Sequence, residues 1–307
     1  AMAMVEPPFL LVKGADQRGW SSLFWRWRRP CAPAQGKPAL RYVHLETTAT
    51  SMRDARAMMQ ADPARPVVVV AATQTGAAGR HGRRWAAPRG GLWFTAGWPI
   101  GDRSAAGPAA VLAGLATARA AEAAGLDADR ACLRWPNDVL ADGGKLSGVL
   151  CETFETARGW ALLVGVGINA NLRAADLPGD LRTEPATLLE LLGRPVDLDG
   201  LLESWMEAFA AGLGRVSLGR VGLGGAAPGR LDAADLREAE SRLCWRGARV
   251  RVDAAGAGAG AGVEAGDDMG RCGVLAGLDA AGGLRLVEGD SGREIVVYSG
   301  EVSVRPD

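Results

Sequence analysis

Lysine is almost missing from this chain: among 35 basic residues only Lys13, Lys37 and Lys145 are lysines, and every other one is arginine. Histidine occurs twice, at His44 and His81, which excludes histidine-rich metal chemistry. Five cysteines (Cys31, Cys132, Cys151, Cys244, Cys272) are odd in number and lack C-x-x-C spacing, which argues against a disulfide framework and against a zinc site. Net charge is absent too, with 35 basic residues against 35 acidic, so the chain as a whole is no polyanion binder. No apolar run reaches the roughly 18–20 residues of a membrane span. The apolar patch after Pro7-Pro8 is too short for a signal core, so a cytoplasmic protein without membrane contact is expected. What remains is 307 residues, 48% of them apolar, enough for one large domain and a small one.

The most informative stretch runs from Arg134 to Glu152. Pro136 cannot donate to a ladder and biases Trp135 toward extended backbone, so a strand carrying Cys132 and Arg134 should end there. Asn137 and Asp138 then stand at a strand end, with side chains free to reach a ligand. Asp142-Gly143-Gly144 reads as a tight hairpin turn. Lys145 opens an apolar return strand containing Leu146, Val149 and Leu150. In a chain that uses arginine almost everywhere, a lysine here suggests a site needing a compact point charge rather than a planar fork. A surface lysine beside a turn is the plainer reading.

Upstream, Arg41 to Leu45 reads as a strand, and Thr50 or Ser51 can cap a helix through Met52, Ala55, Met58 and Met59. Ser51 and Asp54 are spaced as a capping box. Pro66 to Ala72 holds four consecutive valines, a fully buried strand. A loop from Gln74 to Trp85 follows, carrying Gly76, Gly79 and Gly82 with Arg80, Arg83 and Arg84. Glycine lets backbone N–H groups approach an anion and arginine supplies bidentate donors, although an arginine-rich surface loop would look the same. No Gly-Lys-Ser/Thr follows, so it is not a P-loop. Gly91 to Ile100 alternates Leu92, Phe94, Ala96 and Trp98, the pattern of a half-buried strand. Pro108 to Glu122 is an alanine-rich helix stopped by Gly125.

Trp160 to Gly167 is a buried strand ending in Gly165-Val166-Gly167-Ile168-Asn169-Ala170-Asn171. The run fits a dinucleotide fingerprint on paper, but Leu177-Pro178-Gly179 interrupts where a helix is required, so that reading is rejected. Two helices follow at 186–193 and 197–213, the second with a core stripe at Leu201, Leu202, Trp205, Met206 and Phe209. A glycine-rich connector from Arg215 to Pro228 leads to a helix over Leu231–Leu243. Short strands then take over at 249–252, 271–278, 284–287, 294–297 and 302–305, with an Ala/Gly low-complexity loop over Ala254–Gly262. At the other end, Ser22 to Arg29 is an aromatic–basic cluster. It reads as an element packing its tryptophans on the domain, or as a nucleic-acid or membrane contact.

The Arg134–Glu152 stretch closely resembles the signature of biotin protein ligases, Lys/Arg-Trp-Pro-Asn-Asp, a turn, then Lys-Leu-Ala/Ser-Gly-Ile/Val-Leu-Val-Glu. The loop resembles that family's Gly-Arg-Gly-Arg-x-Gly-Arg-x-Trp, with Ala77-Ala78 in place of the first Gly-Arg, and the Gly-Ile-Asn strand end completes three motifs in order. The resemblance implies an α+β fold: a mixed sheet flanked by helices over 41–243, a small SH3-like barrel over 244–307, and an N-terminal extension over 1–40. It implies ATP-dependent joining of biotin to a lysine of a biotin carboxyl carrier domain through biotinyl-adenylate, with Mg²⁺ accompanying ATP. Arg80 and Lys145 would be catalytic. Thr50 and Gln74 would hold the ureido ring, Ser51 standing beside them where the family has other donors. The Ala78 and Gly79 backbone would approach biotin, and Gly148 would admit a backbone N–H to its carboxylate. Arg83, Trp85, Asn137, Asp138 and Asn169 would serve ATP. With no winged helix expected before Arg41, specific DNA binding is not expected; a homodimer stays open. A lipoate or octanoate ligase is the neighbouring alternative, disfavoured by Thr50, Gln74 and the Trp-Pro-Asn-Asp hairpin. A non-catalytic nucleic-acid binder is the alternative from another class, disfavoured by zero net charge.

Overall fold

A computed structural model describes residues 9–15, 21–27, 40–101, 103–216, 229–253, 271–289, 291–298 and 301–304. The Ala254–Gly262 loop and nearly all of the glycine-rich connector lie outside the described residues.

The large sheet has nine strands: β1 (Phe9–Ala15), β2 (Ser21–Trp27), β3 (Arg41–Thr48), β4 (Val67–Gln74), β5 (Leu92–Ile100), β6 (Ala131–Arg134), β7 (Asp138–Ala141), β8 (Gly144–Thr156) and β9 (Gly159–Ile168). Their order is β1-β2-β3-β4-β5-β9-β8-β7-β6. Only β3 and β4 run parallel, joined over the top by α1 (Ser51–Ala61); every other neighbouring pair is antiparallel. The aromatic–basic cluster of the N-terminal region falls in strand β2 as far as Trp27, and Arg28 and Arg29 lie outside the described residues; β2 pairs with β1 and, at Leu23 against His44, with β3.

Both faces of this sheet are covered, and that decides its side chains. On one face Val67, Val69 and Leu163 pack against Ala55 and Met59 of α1. On the other, Val68, Val70, Phe94 and Leu162 meet α2 (Ala106–Ala123) and α4 (Leu198–Arg215). Four successive valines are therefore buried, as a doubly covered strand requires. The same covering overturns the half-buried reading of β5, because Trp93 and Thr95 on its second face are buried as completely as Phe94 and Ala96. Alanine lets α2 lie close to its neighbours; a Cβ on Gly212 of α4 would stand 2.7 Å from Leu112. Between α4 and the sheet sits an aromatic stack, Trp205 on Phe209 at 4.7 Å with Phe94 edge-on to Trp205 at 4.8 Å.

Helix α1 starts as the sequence suggests, with Thr50 of the two candidates as its cap. Thr50 Oγ1 accepts the Met52 N–H at 3.3 Å. The capping box does not form, because Asp54 instead accepts the Thr48 hydroxyl at 2.5 Å and Ser51 Oγ pairs with Thr95 Oγ1 at 2.8 Å. Two further helices, α3 (Leu188–Leu192) and α5 (Ala233–Ser241), lead to the second sheet. That sheet is β10 (Arg249–Asp253), β11 (Arg271–Leu278), β12 (Leu284–Val287), β13 (Glu294–Val297) and β14 (Glu301–Val304), in the antiparallel order β13-β12-β11-β10-β14. The α+β class and a small C-terminal β unit stand as read from sequence. Among the described residues β13 and β14 are not paired, so the sheet is open where a closed barrel was expected.

The cysteine reading needs correction. Cys132 and Cys244 form a disulfide across 112 residues of sequence, and Cys151 is a free thiol. Spacing rules report cysteines that are near each other in sequence. Here Leu133 and Leu243 align as a two-residue parallel bridge, and that tertiary pairing brings the sulfurs together.

Phe209, fully buried between Trp205 and Trp98, is the test of this packing. Phe209→Ala should lower unfolding free energy by about 3–5 kcal/mol in urea titration; a loss under about 1 kcal/mol would mean that the stack closes over the gap.

Candidate active site

The β6–β7–β8 double hairpin is built as its sequence reads. Asp142 (φ 48°) and Gly143 (φ 83°) supply the two positive φ values of a type I′ turn. Lys145 comes two residues later, on a strand whose partner register shifts between Val139 and Leu140. Asp138 is cross-strand from Arg134, whose Nη2 donates to Asp138 Oδ2 at 2.5 Å. The Lys145 Nζ lies 2.7 Å from the other oxygen, Oδ1, as an ion pair. One carboxylate thus sits between two cations. It holds the Lys145 ammonium in place.

Asn137 and Asn169 are not free at strand ends as expected. The Asn137 amide donates to Val149 O at 2.8 Å, and Val149 N–H returns to Asn137 O at 2.8 Å. The Asn169 amide donates to Lys145 O at 3.0 Å and to Ala186 O at 3.2 Å. An asparagine beside a turn has backbone carbonyls in easy reach, and these two take them. They pin β8 on either side of Gly148. The segment around Pro185 closes the clamp, with Lys145 N–H donating to Glu184 O at 2.7 Å and Ala186 N–H to Lys145 O at 3.0 Å.

The glycine–arginine loop folds back as a short flap. Trp85 N–H donates to Ala77 O at 2.9 Å and Gly79 N–H to Arg83 O at 2.7 Å. Arg80–Gly82 forms the tip, where His81 (φ 59°) and Gly82 (φ 70°) take left-handed backbone. The Trp85 indole lies over the paired glycines Gly148 and Gly167 of β8 and β9. A Cβ would stand 3.0 Å from the ring at Gly148 and 2.7 Å at Gly167. Gly165 does the same for Met52, whose sulfur would be 2.8 Å away. The strand-end glycines that imitate a dinucleotide fingerprint therefore open a floor. Lys145 Nζ sits 5.1 Å above the Trp85 ring centroid, a cation–π contact, and the indole Nε1 is buried without a partner.

Every residue singled out from sequence lines one cavity of about 560 Å³, on the sheet face that α1 covers. Its two ends differ. At one, Thr50, Ser51 and Gln74 gather: Gln74 Oε1 accepts the Ser51 N–H at 2.7 Å, which leaves its Nε2 as the group for a ligand. Thr50 has its hydroxyl already engaged at the α1 cap. The other end is basic. The lining there carries six cations, Arg80, Arg83, Arg84, Arg134, Lys145 and Arg182, and two carboxylates, Asp138 and Asp180. Burial, then the neighbouring Arg83 charge, lowers the Arg80 pKa, with Asp138 opposing. Arg83 is lowered by burial and then by Arg182, with Asp138 opposing and Arg134 adding to the depression. Mutually repelling cations in a protein of zero net charge make this a site for a polyanion.

Sequence reasoning missed the segment from Leu177 to Pro185, which supplies one wall. Its only signal, Leu177-Pro178-Gly179, was read as an interruption of a helix. It also missed Arg134 and the buried Phe94 and Thr95 as lining residues.

Because the Gly167 hydrogen faces the indole, Gly167→Ala should push Trp85 off the floor and loosen the flap. Trypsin cleavage after Arg80, Arg83 or Arg84 should speed up about tenfold, with stability lowered by about 1–3 kcal/mol. An unchanged digestion rate would mean that the backbone bonds alone hold the flap.

Comparison with known proteins follows the same lines. Residues 44–169 match the biotin/lipoate A/B protein ligase family model. The biotin--[acetyl-CoA-carboxylase] ligase of Mycobacterium tuberculosis is 33% identical over 240 residues, 77% of this chain and 78% of that protein. The corresponding ligase of Paracoccus denitrificans is 36% identical over 146 residues, 46% of this chain and 60% of the relative. The bifunctional ligase/repressor BirA of Bacillus subtilis is 28% identical over 171 residues, so this chain spans about half of it (52%). In fold, the chain is similar to the Aquifex aeolicus biotin protein ligase solved with biotin and ATP: TM-score 0.65, 23% identity, covering 87% of this chain and 99% of that one. On the length and identity of the mycobacterial match, the chain belongs to the biotin protein ligase family.

Proposed function

We propose that this protein joins biotin to a lysine of a biotin carboxyl carrier domain, using ATP. The observation that carries the reading is a cavity with a small polar pocket at one end and six cations, Lys145 among them, against two carboxylates at the other. Residues 41–243 carry the chemistry and 244–307 form the attached C-terminal unit.

In the first step a biotin carboxylate oxygen attacks the α-phosphorus of ATP. The bond to the β-phosphate oxygen breaks, pyrophosphate leaves and a mixed anhydride forms. In the second, the carrier lysine amine attacks the anhydride carbonyl, an amide forms and AMP leaves. A carboxylate and a triphosphate repel each other, so the first requirement is fixed positive charge at their junction. Arg80 on the flap and Lys145 on β8 supply it from opposite sides. Asp138 keeps Lys145 in place beforehand, and the ammonium's remaining donors then meet the α-phosphate. Gln74 and the Ser51 neighbourhood accept the ureido ring, a role for which lipoate has no matching polar group. Trp85, lying on the glycine floor, offers its exposed ring surface as a wall for the ligand ring systems.

The resemblance places Mg²⁺ with ATP. Among the described residues no group of three or more His, Cys, Asp or Glu is arranged to hold a metal, and Asp138 already bridges two cations. The ion therefore enters as part of the substrate, held by phosphate oxygens and water.

Biotin-dependent ATP–pyrophosphate exchange tests this reading, with lipoate as the competing acid and circular dichroism to check folding. Wild type should exchange with biotin and not with lipoate. Lys145→Ala should fall by about 10²–10³-fold, the loss expected for one preorganised stabiliser. Lys145→Arg should recover little, since the side chain threads between Trp85 and Gly148, where the Lys145 Cε stands 3.3 Å from a would-be Cβ. Exchange with lipoate, or an alanine variant near wild type, would overturn the assignment.

A further inference from the structure

The strand that delivers Arg134 is held from behind by the C-terminal unit. Its four residues and the one that follows alternate in what they do. Cys132 is bonded to Cys244, which lies between α5 and β10. Leu133 exchanges backbone bonds with the same segment, its N–H to Arg242 O at 2.7 Å and its O to Cys244 N–H at 3.0 Å. Arg134 reaches into the cavity and binds Asp138. Trp135, 5% exposed, donates its indole N–H to Gly282 O at 2.9 Å.

The Gly282 carbonyl is presented by a turn that is fixed independently of Trp135. Asp279 Oδ1 accepts the N–H groups of Ala281 at 3.0 Å and Gly283 at 2.7 Å, and Asp279 Oδ2 accepts the Tyr298 hydroxyl. Gly282 takes φ 87°, open to glycine at little cost. The turn seats on the start of α2, where a Cβ on Gly107 would be 2.5 Å from Ala281 O. Cys244 is anchored as firmly: Gly247 N–H donates to Leu275 O at 2.9 Å, and Glu240 accepts the Leu278 N–H at 3.0 Å.

We propose that Trp135 and the Cys132–Cys244 disulfide are positioning residues, a strut by which the C-terminal sheet sets the Arg134–Asp138–Lys145 charges for phosphate binding. The strut rests on the ligase reading for its consequence and on geometry alone for its existence. It makes the site sensitive to thiols. A dithiol reductant attacks one sulfur and displaces the other as a thiolate; its second thiol then closes its own disulfide. The protein gains two electrons and, on protonation, two thiols. Only the cation end touches the strut, so binding of the triphosphate should suffer while the Gln74 end keeps its grip on the acid. The free Cys151 is a poor competitor for such chemistry, because burial pushes its thiol up to about 12.

The test uses the full chain in oxidised form, after dithiothreitol, as Trp135→Phe and as Cys132→Ser/Cys244→Ser. Hydrogen exchange over 131–141 reads the strut without substrates; pyrophosphate exchange then gives the KM for ATP and for biotin. Reduction should speed amide exchange over 131–141 at least tenfold, leaving α2 and α4 unchanged, and raise the ATP KM about five- to twentyfold with the biotin KM within twofold. Trp135→Phe keeps the ring and loses the bond to Gly282, so it should give a smaller shift of the same kind. The double serine variant should match the reduced protein and ignore dithiothreitol. Unchanged hydrogen exchange on reduction, equal rises in both KM values, or a dithiothreitol effect that survives in the double variant would each overturn the strut. Absence of any biotin-dependent exchange in the oxidised wild type would instead overturn the ligase reading, leaving the hydrogen-exchange result to decide the strut by itself.

Discussion

The carboxylate of Asp138 is the constraint around which the site is arranged. It is 12% exposed, placed between Arg134 and Lys145, and could not be left alone there, since an unpaired buried charge costs several kcal/mol. Each cation in turn needs its backbone fixed. The type I′ turn sets Lys145, the Arg134–Asp138 cross-strand pair sets the other side, and two asparagines nail β8 between them. Fixed charge in a half-buried cleft is worth more to a developing anion than mobile charge in water, because it needs no reorganisation when the anion arrives.

Shape is set by a second device, the removal of side chains. Gly148 and Gly167 face each other across β8 and β9, and Gly165 lies two residues along the same face. The layer that elsewhere packs Leu163 and Val67 against α1 is therefore vacant at this end. Trp85 enters the vacancy from the flap, and its ring then carries Lys145 above it. Floor, lid and cation are thus one packing unit, and a methyl group at Gly167 reaches all three.

What was legible in the sequence was local. Gly-Gly beside Asp announces a turn, four valines announce a doubly covered strand, and a solitary lysine among arginines announces a special position; each signal is written in adjacent residues. What was not legible depends on which surfaces meet. Trp93 and Thr95 become buried because α1 and the flap lie on their face, which no alternation in β5 records. Asn137 and Asn169 line the cavity as their chemistry suits, but that their amides also hold the backbone carbonyls of Val149 and Lys145 is written in no local pattern. The Cys132–Cys244 bond and the wall from Leu177 to Pro185 follow from contacts across the chain, and an odd cysteine count says nothing about them.

The scarcity of lysine has a physical sense in this setting. Several arginines outside the cavity are spent in bidentate or bridged pairs: Arg215 on Asp235, Arg119 on Glu238 and Asp235, Arg242 on Glu122 and Glu238, Arg130 on Asp142. A planar fork does that work well, since two parallel N–H groups match two carboxylate oxygens. At residue 145 the demand is the opposite. The cation must pass over a glycine, rest on an indole face and lie beside a carboxylate whose other oxygen Arg134 already holds. It must also keep its donors for something that is not protein. A guanidinium in that gap would satisfy Asp138 with its fork and leave less for a phosphate. A compact ammonium carries three donors, so an ion pair with Asp138 at 2.7 Å still leaves some of them for a ligand.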